Sequence, residues 1–350
     1  HLLLSDMHLS EQFGSTHKNY NNLKTKIYKT KTIKKNYKAS KIERAYSLSD
    51  GMKKNIDILR KIKPDLLIIL GDRSELFSIA TPSLILNIPI AHFYGGDITQ
   101  GCTDEPTRHS LSMISNFHFV SNQRSKNNLL KFKIDPKNIF NVGLSSLHSI
   151  NKKNILDKKS IFEKYKLDHK KKLFLIIQHP ETWNLKDTRK QIKCTLRALR
   201  NFKENKIFVY PCSDPGSKII IDEIKKLKKN YLNKVFKDIK FEDFYSLFDN
   251  ADIIIGNSSA GILESHFFKT PALNIGDRQK NRFQTVNILN SDFNVNNIER
   301  KIKQILNKKY VFSNSKSFYY KSNGINKIIK IFKNLNFKKK DNFKQLLKLN

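Results

Sequence analysis

An aspartate directly follows a short aliphatic run near the end of the first quarter of the chain. Residues 66–70 are all leucine or isoleucine, and Gly71 and Asp72 come next. A run of this kind is typical of a parallel strand buried on both faces. A carboxylate at such a strand end faces a ligand crevice, where partial desolvation raises its pKa toward that of a general acid or base. The alternative is that Asp72 caps a helix beginning near Ser74, and the spacing leaves both interpretations open.

A denser group of ionisable residues follows the next predicted strand. Carboxyl and imidazole groups that share one loop can supply an acid and a base of different pKa. Alternatively, an aspartate and an arginine four residues apart form an ordinary helical ion pair, and the first histidine is a core residue. That alternative does not account for the glycine pair in the loop. The group comprises His92, Gly95, Gly96, Asp97, Asp104, Arg108 and His109.

Three later strand ends carry residues suited to binding a nucleotide. His179 titrates near neutrality, although a single histidine is more often structural. Small residues open a predicted helix after Gly256, where free backbone N–H groups would bind a phosphate and Glu264 would accept from ribose hydroxyls. A plain serine cap is the alternative there. Arg278 and Arg282 follow a further strand and suit a diphosphate.

Strands and helices alternate along most of the chain, which predicts βαβ units and parallel sheets. The first series has strands at 65–70, 89–93, 117–121 and 139–142 and helices at 74–87, 105–115 and 122–132. The second has strands at 173–178, 206–210, 235–236, 252–256 and 271–275 and helices at 186–202, 217–229, 241–249 and 259–268. The fold class is therefore α/β, with two Rossmann-like doubly wound domains and a ligand crevice between them.

The predicted boundaries follow from these two series and from lysine-rich stretches between and after them. The N-terminal domain covers 1–150, a linker region covers 151–172, and the C-terminal nucleotide-binding domain covers 173–312. We expect the helical segment 313–335 to pack back on the first domain. The Lys-rich tail at 336–350 is expected to fray.

The charge of the chain does not indicate nucleic-acid recognition. Its 350 residues include 66 Lys and Arg against 31 Asp and Glu, a formal charge of +35. Only 11 of the basic residues are arginine, the residue that base readout and phosphate clamps favour. The motif-rich stretch 64–120 has two arginines, no lysine and six acidic residues. We therefore interpret the lysines as a solvated surface and expect no specific nucleic-acid partner.

Composition also bears on location and on metal binding. No aliphatic run approaches the roughly 18 apolar residues of a membrane span, so we expect no membrane association. The three cysteines, Cys102, Cys194 and Cys212, lie far apart and without histidines at metal-ligand spacing. We expect a reducing, cytoplasmic setting and no metal.

Taken together, the motifs resemble the hydrolysing UDP-N-acetylglucosamine 2-epimerases of sialic-acid-type and legionaminic-acid-type sugar synthesis. The matching stretches run in order across nearly the whole chain. They are Met7-His8-Leu9-Ser10, Phe13-Gly14-x-Thr16, Gly71-Asp72-Arg73, Ala91-His92-x-x-Gly95-Gly96-Asp97, Asp104-x-x-x-Arg108-His109, His179-Pro180, Gly256-Asn257-Ser258-Ser259-x-Gly261-Ile262-x-Glu264 and Asn274-Ile275-Gly276-Asp277-Arg278-Gln279.

The resemblance implies a glycosyltransferase-B type fold and a cytoplasmic enzyme, a homodimer, that needs no cofactor. It implies anti-elimination of UDP across C1–C2 to a 2-acetamidoglucal, followed by hydration that releases N-acetylmannosamine. The implied catalytic residues are Asp72, Asp97, Asp104 and His179. The implied substrate and UDP-binding residues are Arg73, Arg108, His109, Ser258, Ser259, Gly261, Glu264, Arg278 and Arg282.

Two departures from the family pattern leave alternatives open. Tyr94 stands where some members have a catalytic glutamate, and Asp97 is the nearest acid. Either Asp97 takes over the role of that glutamate, or the chain belongs to a subgroup that acts on a related sugar such as UDP-N,N′-diacetylbacillosamine instead of UDP-N-acetylglucosamine. A UDP-sugar transferase of the same fold is a further alternative. The family also begins with a strand, an arginine-bearing loop and a helix that have no counterpart before His1, so we expect the first βα unit to be missing.

Overall fold

The computed structural model describes residues 1–148, 150, 154–227, 232–307 and 318–335. The described strands pair in parallel and form three sheets. No helix within the described ranges has the length and apolar character needed to cross a bilayer. Residues 308–317 and 336–350, which include parts of the predicted C-terminal segment and the predicted tail, lie outside the described residues.

The N-terminal half contains two sheets. Strands β1 (Leu2–Ser5) and β2 (Ile27–Thr30) pair with each other. The second sheet has the order β3-β4-β5-β6. Its strands are β3 (Leu67–Leu70), β4 (Ile90–Phe93), β5 (Phe117–Val120) and β6 (Ile139–Asn141). The helices of this half are α1 (Lys41–Ile62), α2 (Phe77–Ile85), α3 (Asp104–Met113), α4 (Gln123–Lys131) and α5 (Ser145–His148).

The C-terminal half has one six-stranded sheet in the order β12-β11-β10-β7-β8-β9. Its strands are β7 (Leu173–Ile177), β8 (Asn205–Val209), β9 (Asn233–Phe236), β10 (Ile253–Gly256), β11 (Ala272–Ile275) and β12 (Ile288–Ser291). The helices are α6 (Lys158–Tyr165), α7 (Thr188–Arg200), α8 (Ser217–Lys225), α9 (Phe241–Asp249), α10 (Ser259–Leu263), α11 (Val295–Asn307) and α12 (Gly324–Asn334).

Alternation along the central strands builds the C-terminal core. Leu173 and Leu175 of β7 belong to one buried cluster with α6 and α9, whereas Phe174 and Ile176 belong to a second cluster with α7, α8 and α11. Successive side chains of a strand point to opposite faces, so a strand covered on both sides must be apolar throughout. The order of the strands reverses between β7 and β10, which places a crevice at the carboxyl ends of those two strands.

The N-terminal sheet is covered less evenly than the sequence predicted. Helices α1 to α3 cover one face around Leu59, Ile79 and Leu111. Helix α12 covers the other face, where Ile328 packs in a cluster with strands β4 and β5. The prediction of a doubly buried strand at 65–70 is wrong in this respect, because the strand begins at Leu67 and the side chains of Ile68 and Leu70 are 52% and 58% exposed. The cluster under α12 includes no residue of β3.

Several predicted boundaries differ from the structure. The predicted linker at 151–172 contains α6, whose Ile161 and Phe162 are fully buried in the C-terminal core. The predicted helix 259–268 is wrong in length, because α10 ends at Leu263 and turns follow it. The predicted helix 217–229 ends at Lys225 as α8, and residues 228–231 lie outside the described residues.

Candidate active site

Three aspartates and three arginines meet where the carboxyl ends of the two sets of strands face each other. The aspartates all come from the N-terminal half: one lies in the loop after β3, one lies in the segment between β4 and α3, and one is the first residue of α3. One arginine lies on α3, and the other two lie on the loop after β11. Each aspartate pairs with one arginine: Asp72 with Arg108, Asp104 with Arg278, and Asp97 with Arg282.

The pair formed by Asp72 and Arg108 lies within the N-terminal half. Arg108 is 1% exposed and donates from Nε to Asp72 Oδ2 over 3.1 Å, with a second contact through Nη2. It also donates from Nη1 to the backbone carbonyl of Asp97 over 2.9 Å. Burial alone would raise the pKa of Asp72, but the charges of Arg108 and Arg282 outweigh it and lower this pKa to about 2. Asp72 is therefore a carboxylate at neutral pH.

The other two pairs join the two halves of the protein. Asp104 Oδ2 accepts from Arg278 Nη2 over 2.8 Å, and Asp97 Oδ2 lies 2.9 Å from Arg282 Nε. Burial raises the pKa of Asp104; Arg278 opposes this rise and the negative charge of Asp72 adds to it. Two neighbouring carboxyl groups with pKa values displaced in opposite directions are suited to act as base and acid.

These contacts decide two alternatives that the sequence left open. Arg108 does not pair with Asp104 along α3, because each binds a residue of another element. His92 is a core histidine, since it is fully buried and its ring nitrogens lie 2.7 Å from Gly71 O and 3.0 Å from Ser112 Oγ. Asp72 contacts Arg108 rather than capping the turn at Ser74, whose N-cap position is Arg73 with no side-chain cap.

His179 lies at the switch point of the C-terminal sheet. Asn257, which follows β10, accepts from the His179 N–H over 2.7 Å and donates to the His179 carbonyl over 3.0 Å. The Cys212 N–H donates to His179 Nδ1 over 3.5 Å, so the neutral ring carries its proton on Nε2. Burial lowers the pKa of His179 to about 3, and the ring is therefore neutral at physiological pH.

The predicted nucleotide loop follows β10 directly. Ser258 caps α10 and accepts from the Ala260 N–H, and Ser259 is the first residue of that helix. Because α10 has five residues, its dipole is short. A cation does contact this loop, since Arg278 donates to the Asn257 carbonyl over 3.2 Å. Gly261 is buried within α10 against β10 and β11.

Glu264 follows the last residue of α10 and shares a hydrogen bond with Tyr245. Burial raises the pKa of Glu264 to about 7. Tyr94 belongs to the same neighbourhood, and its hydroxyl accepts from the Ser145 N–H over 2.8 Å. The side chain that replaces a family glutamate is therefore tied to α5 and faces the predicted nucleotide side of the crevice.

His109 is the predicted site residue that stands apart from the cluster. Its Nε2 lies 3.5 Å from Glu105, one turn earlier on α3, and its ring packs edge-on against Phe132. Glu105 in turn accepts from the Thr99 N–H over 2.6 Å. These contacts are all within the N-terminal half.

Sequence reasoning missed a second bridge between the halves. Arg73, a predicted binding residue, donates to Asp214 Oδ1 over 3.2 Å and to Ser213 Oγ over 2.9 Å. Ser213 donates to Asp6 Oδ2 over 2.7 Å, and Tyr37 donates to the Ser213 carbonyl. The signal available in the sequence was a Pro-Gly turn directly after a predicted strand, at residues 211–216.

The loops that carry the cross-cleft pairs also touch through their backbones. A β-carbon on Gly101, whose φ is +85°, would come within 2.9 Å of the Asp277 carbonyl group. The Gln100 N–H donates to the Lys280 carbonyl over 3.1 Å. The crevice is therefore closed at this end by direct contact between the segment after β4 and the loop after β11.

Three buried histidines predict a steep loss of stability in mild acid. Burial lowers the pKa of His92 to about 4 and those of His118 and His179 to about 3. The unfolded chain binds these protons near pH 6.5 and the folded chain does not, so the free energy of unfolding falls as the pH drops below 6.5. The three histidine protons alone would give a slope of about 4 kcal/mol per pH unit between pH 6 and 5. Glu264, whose raised pKa keeps it protonated in the folded chain, opposes this and lowers the net slope to about 2.5 kcal/mol per pH unit.

Urea unfolding at pH 7, 6 and 5, followed by circular dichroism, measures this slope. The variant His118→Leu, at a buried position of β5, should lower the slope by about one proton, or roughly 1.4 kcal/mol per pH unit. Equal stability of the unmodified protein at pH 7 and pH 5 would contradict the argument.

Two α/β halves with parallel sheets that face each other across such a crevice are typical of the glycosyltransferase-B type of fold. Solved structures with this arrangement cover nearly the whole chain. The UDP-GlcNAc 2-epimerase of Methanocaldococcus jannaschii, in complex with UDP-GlcNAc and UDP, superposes with a TM-score of 0.71 at 19% identity, covering 95% of this chain and 98% of that one. The Neisseria meningitidis enzyme bound to UDP-GlcNAc gives 0.69 at 17% identity, covering 95% and 99%.

The sequence pattern of the UDP-N-acetylglucosamine 2-epimerase family matches residues 1–333, and the chain belongs to this family. It is 36% identical over 296 residues to the GDP/UDP-N,N′-diacetylbacillosamine 2-epimerase (hydrolyzing) of Campylobacter jejuni, which covers 84% of this chain and 77% of that protein. It is 30% identical to the UDP-N,N′-diacetylbacillosamine 2-epimerase (hydrolyzing) of Legionella pneumophila, covering 74% and 68%. The family resemblance drawn from the motifs is thereby confirmed.

Proposed function

We propose that this protein is a hydrolysing 2-epimerase that converts a UDP-2-acetamido sugar to UDP and the free 2-epimer through a glycal. The observation that carries the proposal is the pairing of Asp72, Asp97 and Asp104 with three buried arginines at the facing strand ends. Elimination and hydration need a carboxylate base, a proton donor and cations that stabilise the departing diphosphate. This cluster contains all three kinds of group.

The roles follow from the charge states of the side chains. Asp72, held ionised by Arg108, removes the proton from C2 of the sugar. Asp104, whose pKa is raised, carries the proton that the leaving oxygen or the glycal receives. Arg278 and Arg282 bind the diphosphate, and His179 donates from Nε2 to a phosphate oxygen. Glu264 and the serines of the loop after β10 hold the uridine ribose.

For the sugar, we propose UDP-N,N′-diacetylbacillosamine rather than UDP-N-acetylglucosamine. Two relatives at 36% and 30% identity are named for N,N′-diacetylbacillosamine, linked to GDP or UDP in the first name and to UDP in the second. A UDP-N-acetylglucosamine 2-epimerase of Neisseria meningitidis is 26% identical. Tyr94, in place of a family glutamate, lies beside Tyr245 and Glu264. We expect kcat/KM for the diacetylated sugar to exceed that for UDP-N-acetylglucosamine by at least about tenfold, equal to 1.4 kcal/mol of binding to the transition state.

The reaction type is tested by product NMR in deuterated water with each of the two sugars and no acceptor. We expect UDP to be released with the free 2-epimer, which should carry one deuterium at C2, because elimination removes the original proton and hydration supplies one from solvent. Release of UDP without deuterium would indicate simple hydrolysis. No turnover until an acceptor sugar is added would indicate the alternative, a UDP-sugar transferase.

A further inference from the structure

Two of the ion pairs that cross the crevice, Asp104 with Arg278 and Asp97 with Arg282, place a carboxylate where a leaving group would need a cation. Arg278 and Arg282 are each 8% exposed, and each has one of its guanidinium nitrogens on an aspartate of the other half. Arg278 also donates to the carbonyl of Asn257, the residue just before the predicted nucleotide loop. The cations nearest to the expected diphosphate are therefore already paired with carboxylates.

The third arginine of the cluster and Arg73 of the second bridge are also paired. Arg108 holds Asp72, and Arg73 holds Asp214 and Glu75. A diphosphate that enters this crevice cannot be neutralised by an unpaired guanidinium from the cluster. It must compete for an arginine, and it is a strong competitor because its oxygens bind guanidinium groups in bidentate fashion.

If Arg278 moves away from Asp104, the charges that remain around this carboxyl group favour its neutral form. The charged and titratable groups around this carboxyl are Arg278 from the loop after β11, Asp72 after β3, Asp214 after β8, Arg108 on α3 and the thiol of Cys102. Of the two cations, Arg108 stays on Asp72. Without Arg278, Asp104 faces two other carboxylates and an incoming diphosphate in a buried site, and like charges favour its neutral form.

We propose that the substrate diphosphate takes Arg278 and Arg282 from Asp104 and Asp97, and that Asp104 binds a proton from solvent as Arg278 leaves it. The proposal rests on the proposed function of the cleft. Asp104 then carries its proton only while the diphosphate leaving group is bound. The proton adds to a carboxylate oxygen of Asp104 and passes to the departing phosphate oxygen, after which Arg278 returns to the regenerated carboxylate.

The exchange predicts that a substitution in the cluster strengthens the binding of UDP. Asp104→Asn removes the competitor for Arg278, so it should bind UDP about tenfold more tightly, equivalent to one pKa unit of electrostatic competition, although it loses turnover. A residue that merely supports the site would weaken binding. Uridine, which lacks phosphate, should bind both proteins equally. Asp222→Asn, at a residue of α8 paired with Lys218, is the matched control and should bind UDP like the unmodified protein.

Titration calorimetry with UDP at pH 7, in buffers of different ionisation enthalpy, counts the protons taken up. The unmodified protein and Asp222→Asn should take up close to one proton more than Asp104→Asn, since any proton bound by UDP itself is common to all three. Asp97→Asn should also bind UDP more tightly and should keep the proton uptake of Asp104.

Equal proton counts in the unmodified protein and Asp104→Asn, or weaker UDP binding by a folded Asp104→Asn, would overturn the exchange. These outcomes are separate from a failure of the proposed function. A protein that takes up the proton with UDP but turns over neither sugar refutes the epimerase assignment and leaves the exchange standing. A protein that epimerises the sugar but shows the same proton count as Asp104→Asn supports the epimerase assignment and refutes the exchange.

Discussion

Replacing Asp72 by asparagine should lower turnover of the UDP-sugar by about a thousandfold, within the range that one acid–base group supplies. Asparagine keeps the shape of the side chain and can still accept from Arg108, but it cannot take the C2 proton. Deuterium exchange at C2 should fall in parallel with UDP release. UDP affinity should be kept, because Asp72 holds neither of the arginines that we assign to the diphosphate.

The same substitution leaves the buried Arg108 without a charged partner, which can cost a few kcal/mol of stability. Urea unfolding must therefore accompany the kinetics, with turnover measured where the variant is fully folded. Asp57→Asn is the control, since Asp57 lies on α1 with its side chain 78% exposed. Rates like those of the unmodified protein in a folded Asp72→Asn would remove Asp72 from the mechanism.

Replacing Gly256 by alanine should prevent stable folding of the C-terminal half. Gly256 is the last residue of β10 and pairs with Ile177 of β7, at the centre of the sheet. Its φ is +132°, and a β-carbon there would lie 2.1 Å from the Ile177 carbonyl oxygen. That atom is backbone and cannot move aside without parting β7 from β10, so we expect a loss of at least about 4 kcal/mol in the free energy of unfolding.

Gly261 offers a matched control five residues away. A β-carbon at Gly261 would lie 3.6 Å from the Ile254 side chain, an ordinary van der Waals contact. Glycine in a helix is less favourable than alanine by up to about 1 kcal/mol. Gly261→Ala should therefore unfold at the same urea concentration as the unmodified protein or slightly above it. A urea midpoint for Gly256→Ala equal to that of the unmodified protein would show that β7 and β10 can separate at this point with little loss in the free energy of unfolding.

Much of the fold was predictable because buried parallel strands leave a strong local signal. The strands β7, β10 and β11 are buried along their whole length, and the residues of β7 and β10 form unbroken apolar runs up to Gly256 at the end of β10. Strand β3 gave the same signal, yet two of its side chains are exposed. An apolar run reports composition alone, whereas exposure depends on whether a helix from elsewhere in the chain covers that face.

The sequence by itself determined which strand ends carry acids, arginines and histidines, because the order of strand, turn and helix is local. Only the tertiary structure decided their partners. It separated Asp104 from the arginine one turn away on α3 and paired it with Arg278, 174 residues later. It buried His92 in the core and brought Asp214 to Arg73. Ion pairs across a crevice depend on how two separately folded halves meet, and no local spacing encodes that geometry.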